Sequence, residues 1–241
     1  MTIHICNLKK KYHDVTVLDI PELTLESGEL VGLVGNNGAG KTTMMRLILD
    51  LIQASDGYVD IDGKRVGLYV DWKSFTGSYL DSSFLIDFYT PEEYFAFIAE
   101  AYDIPEKEMQ ERLEQYSVLM DNEILGKGKL IKEFSNGNRQ KIGIIGAMLV
   151  NPQILILDEP FNYLDPSSQI EVARLISQMN RNEGSTVLVS SHNLASINDI
   201  CNRILLLDRG NLLMDLNHVP GDTDEALEAY FERNNRWGNA A

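Results

Sequence analysis

A glycine-rich octapeptide at residues 35–42 constrains the fold of this chain more than any other feature. It reads Gly-Asn-Asn-Gly-Ala-Gly-Lys-Thr and fits the phosphate-binding pattern G-x-x-x-x-G-K-[ST]. An apolar, strand-like segment (residues 30–34) precedes it, and a helix-like segment (residues 43–51) follows it. Because the motif works only between a strand and a helix, this context predicts an α/β core that binds a nucleotide.

Each part of this loop has a task when a nucleotide is bound. The glycines allow backbone N–H groups to turn inward around a phosphate, and the N-terminus of the following helix adds partial positive charge. Lys41 is predicted to reach the β- and γ-phosphates, and Thr42 to ligate Mg²⁺. The residues predicted to hold the nucleotide in this segment are Gly35, Asn36, Asn37, Gly38, Ala39, Gly40, Lys41, Thr42 and Thr43.

Composition and charge narrow the classes of protein that fit. The 241 residues include 36 acidic and 21 basic side chains, which gives a net charge of −15. Broad nucleic-acid binding needs a basic face, so we predict no nucleic-acid partner. Two cysteines suit a reducing compartment. The longest apolar run, residues 142–150, is far shorter than the roughly 20 residues that span a bilayer, so we predict a chain that does not cross a membrane by itself.

The order of the predicted elements favours one domain with a helical insertion. Strand-like segments dominate the first 80 residues, helix-like segments follow Thr90, and strands alternate with helices after Asn138. Such alternation is typical of a parallel sheet with covered faces. We predict a single domain whose parts are a core (residues 1–83 and 151–216), a helical subdomain (about 84–150), and a C-terminal helix and tail (217–241).

Individual elements follow from hydrophobic patterning and from capping residues. Thr90 is a good N-cap, and Pro91 suits the first helical position. The predicted strands are residues 3–8, 16–20, 23–25, 30–34, 58–61, a Gly-punctuated run from there through Tyr79, and residues 154–158, 186–190 and 204–208. The predicted helices are residues 43–51, a helix after Thr90, and residues 105–119, 137–149, 166–182 and 194–201.

Nine of the twenty aromatic side chains are concentrated between residues 75 and 102. They form either the buried core of the helical insertion or an apolar pocket for a helix of a partner, since exposed aromatic clusters mark interfaces. The members are Phe75, Tyr79, Phe84, Phe88, Tyr89, Tyr94, Phe95, Phe97 and Tyr102.

A second chemical motif is an apolar run that ends in two carboxylates, residues 154–159. A buried parallel strand delivers such acids to its C-terminal end, which is the edge where α/β sheets bind ligands. Asp158 is then predicted to face Mg²⁺, directly or through water, and Glu159 to activate the attacking water. Alone, this pattern is more often a strand that ends at a solvated loop; together with Lys41 it favours catalysis.

With these motifs in this order, the chain resembles the ABC-type ATPases, the nucleotide-binding subunits of ABC transporters, over residues 3–216. Residues 134–141, Phe-Ser-Asn-Gly-Asn-Arg-Gln-Lys, look like the signature of that family, usually Leu-Ser-Gly-Gly-Gln-Arg-Gln. Ser135 and Gly137 match, whereas an asparagine follows each of them in place of Gly and Gln. Ser135 opens a helix, so its hydroxyl and the helix N-terminus are predicted to form a second anion site that binds ATP.

Further positions match the family one by one. Asp165 ends a segment that is similar to the D-loop, which crosses the dimer interface, and it also suits a helix N-cap. His192 matches the switch histidine that contacts the γ-phosphate, and Tyr12 is placed like the aromatic that stacks on adenine. Ser82 falls where the family has a glutamine that ligates Mg²⁺ and couples to the membrane subunit. Serine is too short for that role, and neighbouring Asp81 is the alternative.

The resemblance implies a P-loop NTPase core of α/β class with a mixed sheet, an N-terminal antiparallel β-subdomain and an inserted α-helical subdomain. It also implies ATP hydrolysis, with catalytic roles for Glu159, His192 and Lys41 and with Mg²⁺ held by Thr42 and Asp158. Chromosome- and repair-type relatives carry a long coiled coil or a zinc insertion, and small GTPases carry Asn-Lys-x-Asp; the chain has none of these features.

The partners that the resemblance implies are ATP, a second ATP-binding subunit and transmembrane permease subunits. Two subunits pack head to tail, each completing the ATP site of the other, and a homodimer is favoured over a heterodimer. The chain is then cytoplasmic and peripheral on the cytoplasmic face of the cell membrane. The alternative is a membrane-associated ABC ATPase that signals or assembles a complex without moving a substrate.

Overall fold

A ten-stranded mixed sheet organises the part of the chain that the structure, a computed structural model, describes: residues 1–222, 225, 227 and 229–231. The strands are β1 (Ile3–Tyr12), β2 (Val15–Leu25), β3 (Leu30–Val34), β4 (Asp56–Ile61), β5 (Lys64–Arg65), β6 (Thr76–Tyr79), β7 (Ile154–Leu157), β8 (Thr186–Ser191), β9 (Arg203–Asp208) and β10 (Asn211–Asn217). The helices are α1 (Lys41–Ile48), α2 (Pro91–Ala101), α3 (Glu106–Glu114), α4 (Ser117–Met120), α5 (Asn136–Leu149), α6 (Pro166–Glu183) and α7 (Leu194–Asn198).

The sheet has a parallel part and an antiparallel part. Its strand order is β5-β4-β1-β2-β10-β9-β3-β8-β7-β6. Strands β9, β3, β8, β7 and β6 run parallel to one another, and β10 pairs antiparallel with β9. Strands β5, β4, β1 and β2 form an antiparallel group from the N-terminal segment. The predicted α/β class with a mixed sheet and an N-terminal antiparallel β-subdomain is confirmed. The C-terminal ends of β3, β7 and β8 therefore meet at one edge of the sheet.

The prediction of two short strands at residues 16–20 and 23–25 is wrong, because β2 continues through Pro21. Its pairing with β1 holds on both sides of that proline, with Ile20 opposite Leu8 and Glu22 opposite Cys6. Between them Asn7 adopts a positive φ of 47°. The proline, which has no N–H to donate, falls opposite Asn7 in this register.

Several helix boundaries also differ from the prediction. The segment 105–119 divides into α3 and α4, because the backbone N–H of Tyr116 bonds to Leu113 in a tighter turn that buries the tyrosine ring. Helix α7 stops at Asn198, three residues early, since Asn202 then donates its backbone N–H to Leu30 of the sheet. Helix α1 begins at Lys41 rather than at residue 43.

The helices between β6 and β7 pack against the sheet through α5. A Cβ on Gly77 of β6 would lie 2.0 Å from the carbonyl oxygen of Ala147 on α5, and one on Gly143 would lie 2.0 Å from the Tyr79 ring. Both glycines therefore allow a backbone approach that a larger side chain prevents. The Thr90 capping box, predicted in part, opens α2 in this region.

We expect Gly143→Ala to lower the free energy of unfolding by about 1–3 kcal/mol, because the added methyl group overlaps the buried Tyr79 ring. Urea denaturation measures the loss. Gly67→Ala is the matched control, since its Cβ would meet Asp50 at an ordinary 3.5 Å. Equal stability of the two variants would contradict the close approach of α5 to β6.

The aromatic cluster combines the two interpretations. Phe95 and Tyr79 are buried, as a core requires. Phe84, Phe88 and Phe97 instead are about half exposed or more, as an interaction surface requires. The first set holds the insertion together, and the second is open to a partner.

The C-terminal prediction is only partly covered by the structure. Asn217 ends β10, and residues 225, 227 and 229–231 are helical. The remainder of the predicted C-terminal helix and tail lies outside the described residues. Within the described part of the chain, no helix has both the length and the apolar character that a bilayer crossing requires.

Candidate nucleotide-binding site

The glycine-rich loop connects β3 to α1 at the C-terminal edge of the sheet. Gly40 has a φ of 108°, a conformation that favours glycine. At Gly35, a Cβ would lie 2.2 Å from the carbonyl oxygen of Leu207 in β9. The loop thus follows a path that larger residues cannot adopt, and it ends where α1 presents its first N–H groups. This geometry fits a phosphate at the helix N-terminus.

Lys41 is buried at the mouth of this loop and is paired within the protein. Its Nζ donates to the carbonyl oxygen of Gly35 at 2.6 Å and lies 3.3 Å from Oε1 of Glu159. The side chain is only 6% exposed. A buried ammonium needs such partners because desolvation is costly. The pairing places one positive charge beside the predicted catalytic carboxylate.

Asp158 and Thr42 stand together beneath the loop. The Thr42 hydroxyl donates to Oδ2 of Asp158 at 2.5 Å, and the Ser190 hydroxyl donates to Oδ1. Burial raises the pKa of the Asp158 carboxyl above its ordinary value, and the two hydroxyl donors partly offset that rise. A buried carboxylate and a hydroxyl side by side offer the oxygen ligands that Mg²⁺ prefers.

Glu159 occupies the centre of the site in a strained backbone conformation. Its φ is 48°, unusual for a residue with a side chain, and its backbone N–H donates to the Ser190 hydroxyl at 2.9 Å. Oε2 lies 2.8 Å from Nδ1 of His192 and accepts the His192 backbone N–H at 3.2 Å. The carboxylate therefore bridges Lys41 and His192.

Tyr12 and the phosphate loop line the same crevice, whose volume is about 290 Å³. The Tyr12 ring is half exposed, and the Lys10 ammonium lies 5.0 Å from its centre. The other lining residues are Val17, Asn37, Gly38, Ala39, Gly40, Lys41, Thr42, Thr43 and Glu159. An exposed aromatic face next to a phosphate loop is suited to a stacked base, so the role of Tyr12 stays a prediction with a favourable location.

The signature segment lies outside that crevice, at the start of α5. The Ser135 hydroxyl accepts the backbone N–H of Asn138 at 3.2 Å, which confirms it as the helix N-cap. A Cβ on Gly137 would lie 2.8 Å from the carbonyl oxygen of Tyr163, so the signature packs tightly on the segment that ends at Asp165. Ser135, Gly137 and Asp165 are absent from the lining of the loop crevice.

Asp165 is the N-cap of α6, as predicted. Its carboxylate accepts the Ser168 backbone N–H at 3.0 Å and the Ser168 hydroxyl at 2.6 Å. Hydrogen bonds from the hydroxyls of Ser167 and Ser168 hold its pKa well below the usual range. The carboxylate is therefore occupied within its own chain, and its contact with ATP stays a prediction.

Ser82 and Asp81 lie at the junction of the sheet with the helical insertion. Both line a second crevice, of about 390 Å³, that also reaches Asp158 and Glu159. The Asp81 carboxylate accepts the backbone N–H of Ser83 at 2.8 Å and lies 3.5 Å from the Arg46 guanidinium. Asp81 thus offers a charged side chain at the edge where the usual glutamine is missing.

Two contributors were not predicted from sequence. Ser190 bonds both acidic residues of the site, and Gln140 donates to the Glu159 carbonyl oxygen at 3.1 Å. Ser190 could have been found, because it is a polar residue at the C-terminal end of the apolar run that forms β8. Gln140 falls at the last glutamine of the family signature, but nothing in the sequence indicates that it contacts Glu159.

Comparisons with known proteins agree with this geometry. The family model described as "ABC transporter" matches residues 18–162. An uncharacterized ABC transporter ATP-binding protein of Synechocystis is 33% identical over 87% of this chain and 59% of its own length. The bacitracin transport ATP-binding protein of Enterococcus faecalis is 31% identical over 88% of this chain and 68% of its own. A solved ATP-binding subunit of an ABC transporter superposes with a TM-score of 0.81, at 27% identity and 90% coverage of both chains.

Proposed function

The chain belongs to the ATPases of the ABC transporter family, and from that premise we propose that it powers transport through separate membrane subunits. The observation that carries the proposal is the convergence of Lys41, Glu159 and His192 at the end of the sheet beside the phosphate loop. A charge-balanced group of this kind suits hydrolysis of a nucleotide more than simple binding. The nucleotide is ATP, as in the family.

We propose Mg²⁺ as the second cofactor, held by Thr42 and Asp158 together with the phosphates. The described residues contain no group of three or more His, Cys, Asp or Glu side chains able to hold a metal alone. Mg²⁺ is usually held by one or two carboxylates plus phosphate oxygens, which fits this pair. When bound, the ion neutralises charge that develops on the phosphates.

The protein groups then divide the catalytic work. Lys41 exchanges its contacts with Gly35 and Glu159 for the β- and γ-phosphates. Glu159, released from that ion pair, accepts a proton from the attacking water. His192, which lies 2.8 Å from the Glu159 carboxylate, orients it and contacts the γ-phosphate. Main-chain N–H groups at the start of α1 stabilise negative charge on the phosphates.

The signature requires a second subunit in this proposal. Ser135 and Gly137 start α5 in the helical subdomain (about residues 84–150), whereas Lys41 belongs to the core (residues 1–83 and 151–216), and the two anion sites do not share a crevice. Head-to-tail packing of two copies brings the signature of each over the ATP of the other. Because the chain has its own Glu159 and His192, we propose a homodimer that closes on two ATP molecules.

Steady-state ATP hydrolysis by the purified chain with Mg²⁺ tests this proposal. We expect the specific activity to rise with protein concentration until nearly all chains are dimeric, because each site needs two chains. If the chain alone hydrolyses ATP only at the background rate, and adding a different ATP-binding chain raises that rate, the homodimer is contradicted. Stimulation of hydrolysis by a transported compound in the membrane complex separates a transporter from an ATPase that only signals or assembles a complex.

A groove beside the helical insertion is the proposed contact with the membrane subunits. It has a volume of about 290 Å³ and is mostly apolar. The half-exposed rings and chains of Phe84 and Leu51 lie at its rim, with buried Trp72 at its base. A groove of this kind fits an amphipathic helix of a partner. Docking there keeps the chain peripheral on the cytoplasmic face of the membrane.

We expect Phe84→Glu to abolish co-purification of the membrane subunit from detergent-solubilised membranes, because a carboxylate in the groove is desolvated on docking. ATP affinity of the isolated chain should be retained. Leu213→Glu is the control, since Leu213 is equally exposed on β10, several strands from the groove. Equal capture by the Phe84 variant and the control would argue against this groove.

A further inference from the structure

A buried hydrogen-bond bridge connects the signature helix with the catalytic glutamate of the same chain. Nε2 of Gln140, on α5, donates to the backbone carbonyl oxygen of Glu159 at 3.1 Å. Its Oε1 accepts the hydroxyl of Tyr79, the last residue of β6, at 3.2 Å. Both side chains are buried, at 6% and 3% exposure. The amide therefore has one partner in the sheet and one in the catalytic turn.

The Glu159 peptide depends on such restraints. Its positive φ places the side chain in a backbone conformation that is populated only when the surroundings determine it. Ser190 holds the backbone N–H, and the carbonyl oxygen accepts the Asn162 N–H at 3.2 Å in addition to Gln140. Of these three bonds, the one from Gln140 comes from the helical insertion. It therefore connects α5 directly to the peptide of the residue whose carboxylate faces Lys41.

The bridge is also firmly held at its other end. The Tyr79 ring fills the space above Gly143, one turn after Gln140 on α5, so the ring is in close contact with the helix. Burial raises the pKa of the Tyr79 hydroxyl, which stays a neutral donor to Gln140. The crevice of about 390 Å³ between α5 and the acidic pair includes Gln140 in its lining, so the bridge spans the junction of the two lobes.

We propose that Gln140 is a positioning residue that couples the two ATP sites of the dimer. This inference rests on the proposed head-to-tail arrangement, in which Ser135 of one chain faces the ATP held by the other. Because α5 carries Ser135 at its start and Gln140 one turn later, closure of the signature on one ATP shifts the peptide of the glutamate that serves the other ATP. Gln140 touches no substrate and acts only through Glu159.

Gln140→Met tests the bridge, because methionine has nearly the same volume and cannot donate to the carbonyl oxygen. We expect kcat for ATP hydrolysis to fall about tenfold while KM and ATP affinity change less than about twofold, since the contact is not with substrate. Tyr79→Phe should lower kcat in the same direction by a smaller factor. Tyr94→Phe is the matched control: it removes the phenol hydroxyl of a partly buried tyrosine that packs against α5 near Gly146, and it should leave kcat unchanged.

A double-mutant cycle with Ser135→Ala separates coupling from structural damage. If α5 acts on Glu159 through Gln140, Ser135→Ala should lower kcat by a smaller factor once the bridge is absent. The kcat of the double variant, relative to the wild type, should then be about threefold or more above the product of the relative kcat values of the two single variants. Effects that simply multiply, or an unchanged kcat in Gln140→Met, would overturn the inference. If Gln140→Met does not fold, Tyr79→Phe replaces it in the cycle.

The same measurements distinguish failure of this inference from failure of the proposed function. A wild-type chain that neither dimerises with ATP nor hydrolyses it overturns both. If the wild-type chain does both and the effects of the Gln140 and Ser135 substitutions on kcat simply multiply, the proposed function stands and only the coupling is overturned.

Discussion

Glu159→Gln is expected to lower ATP turnover by about a hundredfold or more, because an amide cannot accept the proton that general-base catalysis removes from water. The amide has the same size and keeps its place between Lys41 and His192. ATP binding should therefore persist, and since hydrolysis no longer reopens the sites, a stable dimer should accumulate. Phosphate release measures the first effect, and light scattering after size exclusion with Mg-ATP measures the second.

The matched control for this variant is Glu171→Gln. Glu171 is on α6 and pairs with Arg174 at 2.6 Å on the same helix. Turnover and oligomeric state of this control should equal those of the wild type. If the Glu159 variant stays monomeric in saturating Mg-ATP, the head-to-tail dimer is wrong; if it keeps wild-type turnover, Glu159 is not the base.

Lys41→Ala is expected to weaken ATP binding by about a hundredfold or more, because each charge-assisted hydrogen bond to a phosphate contributes about 1.5–3 kcal/mol. The substitution also leaves the Glu159 carboxylate without its 3.3 Å partner and adds repulsion between that carboxylate and the phosphates. Titration calorimetry measures the affinity. In thermal unfolding, the rise in Tm that ATP gives the wild type should disappear.

Lys64→Ala is the control for that charge removal. Lys64 is an exposed lysine that pairs with Asp71 at 2.5 Å on the far edge of the sheet. It should bind ATP as the wild type does, since a surface ion pair contributes little. Wild-type affinity in Lys41→Ala would mean that the loop does not hold the phosphates.

The sequence predicts those features of the site that have local patterns. The loop at residues 35–42 is recognised by its glycine spacing, and the pair Asp158–Glu159 by the apolar run before it. Strands β3 and β7 are apolar and β8 has an apolar centre, which is why their buried parallel arrangement was expected. The N-caps Thr90, Ser135 and Asp165 follow from side-chain chemistry alone.

The features that the sequence does not predict depend on contacts between distant segments. Strand β2 continues through Pro21 because β1 pairs with it on both sides of the proline. From the sequence alone, a proline at this position argues against a continuous strand. The residues of β10 are alternately exposed and half buried, and this segment forms a strand because it pairs with β9. The Gln140 bond spans 19 residues and depends on how α5 lies across the sheet. Such contacts are outcomes of packing and not of local propensity.

The ion pair between Lys41 and Glu159 has a consequence for how the site accepts its nucleotide. In the proposed mechanism, the Glu159 carboxylate pairs with Lys41 before ATP arrives, in the electrostatic place that the γ-phosphate then takes. Entry of ATP is thus an exchange of one anion for another and not the filling of an uncompensated positive hole. The nucleotide-free protein thus avoids the desolvation cost of an unpaired, buried Lys41 ammonium. Breaking the ion pair in turn lowers the net free energy gained on binding ATP. In that mechanism Glu159, the proposed base, stays paired with Lys41 until the triphosphate displaces it.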